Sequence, residues 1–321
     1  NTTTAPFYTH QSESFNISLS IGAASYPTDA QTVEELMKFV DLSAYNGKKN
    51  KKNSLQFYSQ SMKDASHHEI KVENELRQAI KQGEFELYLQ PIIDLEIKKI
   101  VKAEALIRWN HPEKGMVYPD KFIPIAEKSD LIIAIGKWVI KEACLIAKKL
   151  AAQKQSIKIS MNLSPTQVLD ENLFPYLHSC VKKYRVDPCL LELEVTEGIL
   201  VDDYSVTNKL LSKVRAIGMS VSVDDFGTGY SSLSHLKKLP LDYLKIDRSF
   251  VKDLAIDDND KAIVRAVIAL AHNLNLGVIA EGVETKEQLA FLAQNSCNSV
   301  QGFLYSRPIN FTELSKLIAK Q

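Results

Sequence analysis

The chain is predicted to be an α/β protein whose main part is a (β/α)₈ barrel. Short apolar strands alternate with longer amphipathic helices from residue 84 to residue 321, and this alternation is typical of a parallel sheet. Eight strand segments can be recognised, the number that closes such a barrel, and polar residues recur near their carboxyl ends, where barrel active sites lie. An open, doubly wound sheet is the alternative, although no G-x-G-x-x-G follows the first strand.

Residues 1–60 are predicted to form a small α+β fragment. The pattern predicts strands at 16–22 and 55–58, a helix at 32–45 and a basic turn at 48–52. Two strands and one helix are too little to bury a core, so we interpret this unit as part of a domain. Residues 61–83 are predicted to be a linker helix that ends at Gly83.

The barrel itself is predicted to occupy residues 84–321. Its strands are expected at 86–90, 100–107, 157–163, 190–196, 220–223, 243–246, 278–280 and near 299–302. Apolar positions at helical spacing between these strands predict helices at 137–150, 204–217, 261–274 and 286–295.

The composition excludes several classes of function. The 321 residues are 45% hydrophobic and 24% charged, and 39 basic residues balance 39 acidic ones. A neutral chain does not favour bulk nucleic-acid binding, and no apolar run approaches the roughly 20 residues of a membrane helix. No signal peptide is visible. Four scattered cysteines favour a reducing, cytoplasmic location, with room for a sensor or membrane region upstream.

The most informative segment is an apolar run, Val221 to Val223, that ends in the adjacent carboxylates of Asp224 and Asp225. Neighbouring like charges raise each other's pKa, and burial raises it further. A fold tolerates such a pair when a cation lies between the acids or when one of them holds a proton for chemistry. A solvated turn is the alternative interpretation.

The other strands carry polar residues at comparable positions. A polar side chain lies in or directly after each of seven successive strands, in this order: Glu104, Asn162, Glu194, Asp224 with Asp225, Lys245, Glu281 and Gln301. Packing alone does not explain such a series, because each buried charge needs a partner. We therefore expect these side chains to meet at one mouth of the barrel.

These residue types favour a divalent metal site. Carboxylate and amide oxygens suit Mg²⁺ or Mn²⁺ rather than zinc. Adjacent aspartates can hold two ions about 3.5–4 Å apart, as used for in-line phosphoryl displacement. Lys245 is expected to orient a water or to stabilise developing charge, the alternative being a salt bridge to Asp247 or another acid. Arg108 and Trp109 could bind a phosphate and stack a base, although a core tryptophan is equally compatible with the sequence.

Long motifs in the expected order resemble the EAL-domain cyclic di-GMP phosphodiesterases. The resemblance extends over roughly residues 73–320. Its motifs are Glu104-Ala105-Leu106, Arg108-Trp109, Asn162-Leu163-Ser164, Gln301-Gly302-Phe303 and the segments 122–127, 192–197, 224–233, 244–247 and 281–284. The resemblance implies a TIM-like barrel whose first strand runs antiparallel to the others. It also implies hydrolysis of cyclic di-GMP to 5′-pGpG with two Mg²⁺ or Mn²⁺ ions per site.

By the same resemblance, individual residues acquire expected roles. Glu104, Asn162, Glu194 and Asp224 would bind metal, with Asp225 at the second ion and also in the catalytic set. Lys245 and Glu281 would position the attacking water. Substrate binding would involve Arg108, the backbone region of Leu106, and Gln301, which would also support the waters of the metal site. Glu197 would anchor the loop that starts at Asp225.

The N-terminal fragment is similar to the C-terminal part of a GGDEF (diguanylate cyclase) domain at residues 17–22, 26–27, 41–45 and 48–53. The Gly-Gly-Asp-Glu-Phe signature is absent, so we expect no synthesis of cyclic di-GMP and a structural role for the fragment. Because the predicted linker helix resembles a signalling connection, a cyclic di-GMP receptor with little or no turnover is the alternative function. A homodimer is compatible with a barrel of this type.

Overall fold

A computed structural model describes residues 7–8, 14–15, 19–50, 54–199, 204–227 and 236–321. The predicted strand residues 16–18, turn residues 51–53 and motif residues 228–235 lie outside this description. The chain divides into two compact units, Asn1–Glu75 and Leu76–Gln321. None of the described helices combines the length and apolarity needed to span a membrane.

The first unit contains short strands around one helix. Strands β1 (Phe7–Tyr8) and β2 (Ser14–Phe15) pair antiparallel, whereas β3 (Ile21–Ala23) and β4 (Leu55–Phe57) pair parallel across helix α1 (Val33–Asn50). Helix α1 includes residues 48–50, where a basic turn was predicted. The prediction of a turn was therefore wrong for these three residues. Large apolar side chains remain exposed in this unit, as expected of a fragment too small to bury a core: Leu19, Val33, Met37, Leu55 and Phe57.

Helix α2 (Gln60–Gln82) follows at the position of the predicted linker and ends before Gly83, whose positive φ of 73° favours glycine.

Eight strands of the second unit close into a barrel, which confirms the predicted fold class. Neighbours in the closed sheet follow the order β5-β13-β12-β11-β10-β9-β8-β6, and β6 returns to β5. The first strand, β5, runs antiparallel to both of its neighbours, and the other pairings among the eight are parallel. The strands are β5 (Phe85–Asp94), β6 (Lys99–His111), β8 (Lys158–Leu163), β9 (Leu191–Thr196), β10 (Ser220–Phe226), β11 (Tyr243–Ile246), β12 (Gly277–Ala280) and β13 (Ser299–Gln301).

Described helices follow the parallel strands other than β10, and β7 (Gly115–Val117) extends β6 as a hairpin outside the closed sheet. The described helices of this unit are α3 (Pro119–Lys128), α4 (Leu131–Ala152), α5 (Pro165–Val168), α6 (Leu173–Tyr184), α7 (Tyr204–Ala216), α8 (Arg248–Lys252), α9 (Asp258–Asn273), α10 (Lys286–Gln294) and α11 (Phe311–Ile318). Capping boxes formed by Ser164, Thr285 and Asn310 fix the starts of α5, α10 and α11. The predicted helix at 137–150 begins six residues earlier, at Leu131.

The pleat places alternate residues of each barrel strand on the same face. Buried polar side chains therefore recur two residues apart along single strands, as with Lys102 and Glu104, Glu192 and Glu194, or Ser222 and Asp224. They form two layers inside the barrel. We call the layer nearer the carboxyl ends of the parallel strands the upper layer, and the one beneath it the lower layer.

Candidate active site

The upper layer brings together the polar residues that the sequence singled out. Asn162, Glu194 and Asp224 lie in the last part of β8, β9 and β10. Lys245 is the third residue of β11, Glu281 directly follows β12, and Gln301 ends β13. Glu104 lies in the middle of the long strand β6, whose pairing with β8 stops one residue further on, at Ala105.

The ammonium group of Lys245 occupies the centre of this layer. It lies 2.6 Å from Glu281 Oε1, 2.7 Å from Glu194 Oε2, 3.2 Å from Asp224 Oδ2 and 3.6 Å from Glu104 Oε2. The lysine side chain has no exposed surface, and Glu194 is equally buried. These ion pairs are the salt bridge to another acid that the sequence left open, and Asp247 takes no part in them. Asp247 instead accepts a hydrogen bond from the Ser249 amide at the start of α8.

The carboxyl groups of this cluster differ in the direction in which their pKa values are shifted. Burial raises the pKa of Glu281 to about 8 despite the opposing effect of Lys245, and burial also raises the pKa of Glu194 well above its ordinary value. Burial acts on Glu104 in the same direction, but Lys245 and the amides of Gln301 and Asn162 outweigh it, so that the pKa of Glu104 is lowered. For Lys245, the surrounding carboxylates outweigh burial and raise the pKa well above its ordinary value.

Side-chain amides hold Glu104 in place. Asn162 Nδ2 donates to Glu104 Oε1 over 2.7 Å, and Gln301 Nε2 donates to Glu104 Oε2 over 2.6 Å. Gln301 Nε2 also donates to Gln90 Oε1 over 3.0 Å. Gln90, on β5, was missed by the sequence analysis, although a buried polar residue inside an apolar strand was the criterion applied to the other seven strands.

Two groups of carboxylates in this layer have the geometry to hold a metal ion. Oxygens of Glu104, Glu194 and Asp224 lie within 4.8 Å of one another, as do oxygens of Asp224, Asp225 and Glu281. Asp224 belongs to both groups, so two ions could share it. The donor set fits Mg²⁺ or Mn²⁺ because it consists of hard oxygens. In addition, the buried Glu194 Oε1 has no hydrogen-bond partner among the described residues, which leaves it free for an ion.

The two aspartates differ in their environments. Asp224 is buried, whereas Asp225 is exposed and has a left-handed backbone with φ of 54°. Its amide donates to Asp224 Oδ1 over 2.9 Å. Burial, and after it the carboxylates of Asp224 and Asp247, raise the pKa of Asp225. The left-handed turn lets successive residues both reach the mouth of the barrel, which regular strand alternation would prevent.

Glu197 is buried just beyond β9 and contacts the segment that begins at Asp225. Its carboxylate Oε2 accepts a hydrogen bond of 2.9 Å from the Gly227 amide, and its own amide donates to the Asp224 carbonyl over 3.1 Å. Both contacts fit the expected role of an anchor for this segment. That role stays a prediction, because residues 228–235 lie outside the description.

A largely apolar cavity of about 380 Å³ adjoins the upper layer between strands β6 and β8 and helices α3 and α4. Leu106 and Asn162 line it on the side of the carboxylate cluster. Its other polar lining residues are Asp120, Glu127, Ser164, Gln167 and Thr196. Burial raises the pKa of Glu127.

Arg108 lies outside the carboxylate cluster, beside the rings of Tyr88 and Tyr118. Trp109 is buried and its ring makes an edge contact with Phe122. Trp109 is therefore the core tryptophan that the sequence left open as an alternative to base stacking.

The lower layer was missed by the sequence analysis. Lys102 Nζ lies 2.7 Å from Glu192 Oε2, and Lys158 Nζ lies 3.8 Å from the same oxygen. Both ammonium groups also lie over the ring of Tyr243, on β11. Burial lowers the pKa of Lys102 to about 8 although Glu192 opposes this change. Each of these lower-layer residues lies two or four positions before an upper-layer residue on the same strand. Because side chains two residues apart share a strand face, this spacing could have identified the lower layer from the sequence.

The chain has relatives of named activity along nearly its whole length. The cyclic di-GMP phosphodiesterase NbdA of Pseudomonas aeruginosa is 40% identical over 300 residues, which cover 93% of this chain and 38% of that protein. The cyclic di-GMP phosphodiesterase PdeR of Escherichia coli is 32% identical over 292 residues, with 91% of this chain and 44% of that protein covered. The chain thus spans less than half the length of these relatives.

A solved structure and a family model agree with these relatives. The MucR phosphodiesterase, solved in complex with cyclic di-GMP, has a TM-score of 0.74 and 41% identity, with 76% of this chain and 99% of that chain covered. The model of the EAL domain family matches residues 73–308. This match covers most of the chain and all of the upper layer, and the sequence resemblance is therefore confirmed: the chain belongs to the EAL domain family.

Proposed function

We propose that this protein hydrolyses cyclic di-GMP to 5′-pGpG with two bound Mg²⁺ or Mn²⁺ ions. The observation that carries the proposal is the convergence of four carboxylates, from four different strands, on the single ammonium of Lys245. Such an excess of buried negative charge needs further cations. The named activities of NbdA, PdeR and MucR support the choice of substrate.

Glu104, Asn162, Glu194 and Asp224 would hold one ion, and Asp224 with Asp225 the other. Bound divalent ions in such a pair neutralise phosphate charge and lower the pKa of a coordinated water. The two groups of mutually close oxygens support this assignment. The amides of Asn162 and Gln301 keep both oxygens of Glu104 fixed before any ion arrives, which reduces the rearrangement that binding requires.

Glu281 and Lys245 would handle the proton and the charge of the reaction. Glu281, which lies beside Asp224 and Asp225, would position the attacking water and accept its proton once a bound ion has displaced the carboxyl proton that burial retains in the metal-free protein. The water oxygen attacks phosphorus, the bond from phosphorus to O3′ breaks, and O3′ receives a proton, which leaves a 5′-phosphate and a 3′-hydroxyl. Lys245, 2.6 Å from Glu281, would stabilise the negative charge that develops on the phosphoryl oxygens.

The cavity beside Leu106 would hold a guanine base. Its apolar walls suit a flat purine, and the carboxylates of Asp120 and Glu127 can accept from the N1 and N2 groups of guanine. Adenine lacks both donors at these positions. The cavity thus supports a guanine-containing substrate over an adenine-containing one.

A cyclic di-GMP receptor with little or no turnover is the second candidate. The observation that favours it is helix α2, 23 residues long and directly before the first barrel strand, since such a helix can pass a signal to another domain. The EAL domain of FimX, solved with cyclic di-GMP bound, is a relative at 27% identity.

Turnover and binding distinguish the two candidates. Purified protein with Mg²⁺ or Mn²⁺ is expected to convert cyclic di-GMP to pGpG. The conversion is measured by chromatography of the nucleotides. Glu104→Gln should lose turnover by about 10³-fold or more and should also bind Mn²⁺ more weakly, because it removes a charged ligand. Glu96→Gln is the matched control, because Glu96 is an exposed acid in the turn that follows β5. Tight binding without hydrolysis over hours would overturn the enzymatic proposal and favour the receptor.

A further inference from the structure

Arg108 is a buried cation that has no acidic partner among the described residues. Its exposed fraction is 6%, and its one hydrogen bond, from Nη1 to the Ile107 carbonyl, is 2.9 Å long. It forms no ion pair with any of the described carboxylates. Glu86 lies directly opposite on β5, but its carboxylate accepts from Asn110 instead. A guanidinium has five N–H donors, so most of them remain available to an anion.

Two tyrosine rings take the place of a carboxylate. The Arg108 guanidinium carbon lies 5.6 Å from the centroid of Tyr88 and 5.1 Å from that of Tyr118, both within the range of cation–π contacts. A cation–π contact holds a guanidinium without using its N–H groups as hydrogen-bond donors to an anion, whereas a carboxylate would occupy them. The arrangement thus orients the group without satisfying its donors.

The position of this group links the carboxylate cluster to the cavity. Arg108 lies on the same strand face as Glu104 and Leu106, at intervals of two residues along β6. Leu106 lines the cavity, and Tyr118 immediately precedes Pro119 and Asp120, which also line it. An anion bound at Arg108 would therefore lie beside both the base site and the cluster.

We propose that Tyr118, together with Tyr88, is a positioning residue that holds the Arg108 guanidinium for a phosphate of cyclic di-GMP. This inference rests on the proposed function and adds to it the residues that select a phosphodiester beside a base. Tyr118 suits a test because 55% of its surface is exposed, so that its replacement opens no core cavity.

The first experiment compares steady-state kinetics of the wild type, Tyr118→Leu and Tyr118→Phe. Loss of one cation–π contact should raise KM roughly 3- to 30-fold with kcat within about twofold. Phenylalanine keeps the ring face and should restore KM. Tyr184→Leu removes an exposed cation–π contact with Lys183 on α6 and should change neither constant. Unchanged KM in Tyr118→Leu, or equal damage in Tyr118→Phe, would overturn the proposal.

The second experiment tests whether Tyr118 acts through Arg108. Binding of cyclic di-GMP is measured by calorimetry in EDTA, so that the outcome does not depend on turnover and a catalytically inactive wild type still gives a result. Arg108→Lys keeps the charge but loses the planar fork, and both single variants should bind about tenfold more weakly. In the double variant, Tyr118→Leu should weaken binding by less than about twofold beyond the loss caused by Arg108→Lys alone. The reason is that the effects of substitutions at contacting residues are not additive. Fully additive losses would show that Tyr118 acts independently, contrary to the proposal.

Discussion

The two polar layers inside the barrel differ in how their charges are balanced. In the upper layer four carboxylates surround one ammonium, that of Lys245. In the lower layer two ammonium groups, those of Lys102 and Lys158, share the single carboxylate of Glu192. Counting only these contacting groups and leaving out the exposed Asp225, the upper layer has a formal excess of three negative charges (four minus one), and the lower layer a formal excess of one positive charge (two minus one). The lower layer balances its charges almost internally, whereas the upper layer can offset its excess only by keeping protons on Glu281 and Glu194, whose pKa values are raised, or by binding cations.

The first prediction removes the one cation of the upper layer. Lys245→Met should lower kcat by about 10²–10³-fold, because a preorganised positive charge is lost from the reaction centre. Mn²⁺ affinity should stay equal or increase, because the ammonium no longer competes for the four carboxylates. Pre-steady-state hydrolysis and calorimetry with Mn²⁺ measure the two effects separately. A parallel loss of Mn²⁺ affinity would mean that the lysine organises the ligands rather than competing with the ions.

The second prediction makes the same substitution in the lower layer. Lys102→Met leaves Glu192 buried with only the more distant Lys158, so the free energy of unfolding should fall by about 3–5 kcal/mol. The double variant Lys102→Met/Glu192→Gln should recover most of that loss, since it removes both charges. Urea denaturation without metal gives these values. If the double variant were as unstable as the single one, packing of the lysine stem would be the cause instead.

The upper layer was predictable from sequence and the lower layer was not, for a physical reason. A lone acid or amide in an apolar strand stands out, as with Glu104, Asn162 and Asp224. Lys102 and Lys158 stand at the starts of their strands, where a charged residue normally faces solvent. Only closure of the barrel, which places Glu192 2.7 Å from Lys102, shows that this charge is internal. Sequence spacing gives the face of a strand but not its partner across the barrel.

The helices that were missed have a local cause. Helix α3 contains Pro119 and Pro124, and α6 contains Pro175 in its first turn, so a pattern-based analysis breaks both segments. Proline at the first helical position is favourable, and the barrel packing tolerates the internal one. Conversely, the polar end of α1 at residues 48–50 resembled a turn, although lysines are stabilising near the C-terminus of a helix. In each case tertiary packing or the helix dipole outweighed the sequence signal.

The third prediction concerns pH and metal binding in the upper layer. Folding keeps the Glu281 proton up to about pH 8, whereas the unfolded chain loses it near 4.5. This group's contribution to the stability of the metal-free protein is therefore fully present below pH 4.5 and is lost as pH rises through 8. Because an ion must displace that proton, Mn²⁺ affinity should increase by up to about tenfold per pH unit below pH 8.

Calorimetry at pH 6.5, 7.5 and 8.5, in buffers of different ionisation enthalpy, measures both the affinity and the number of protons released. Glu281→Gln should flatten the dependence, although Glu194, whose pKa is also raised, would retain part of it. A pH-independent affinity without proton release would show that Glu281 is already ionised in the metal-free protein.

The smallest expected effect concerns Ser222, a lower-layer residue whose neighbours on the adjacent strands belong to different layers. The hydroxyl of Ser222 is fully buried and has no hydrogen-bond partner among the described residues, so Ser222→Ala should change the free energy of unfolding by less than about 0.5 kcal/mol. Ser129→Ala is the matched control, because that hydroxyl donates to the Ile125 carbonyl over 2.9 Å and its loss should cost about 1 kcal/mol. Equal losses in the two variants would mean that Ser222 is hydrogen-bonded through a buried water. Because Ser222 pairs in register with Glu194 on one side and Tyr243 on the other, such a water would connect the two layers, and their charges would then have to be treated as a single network.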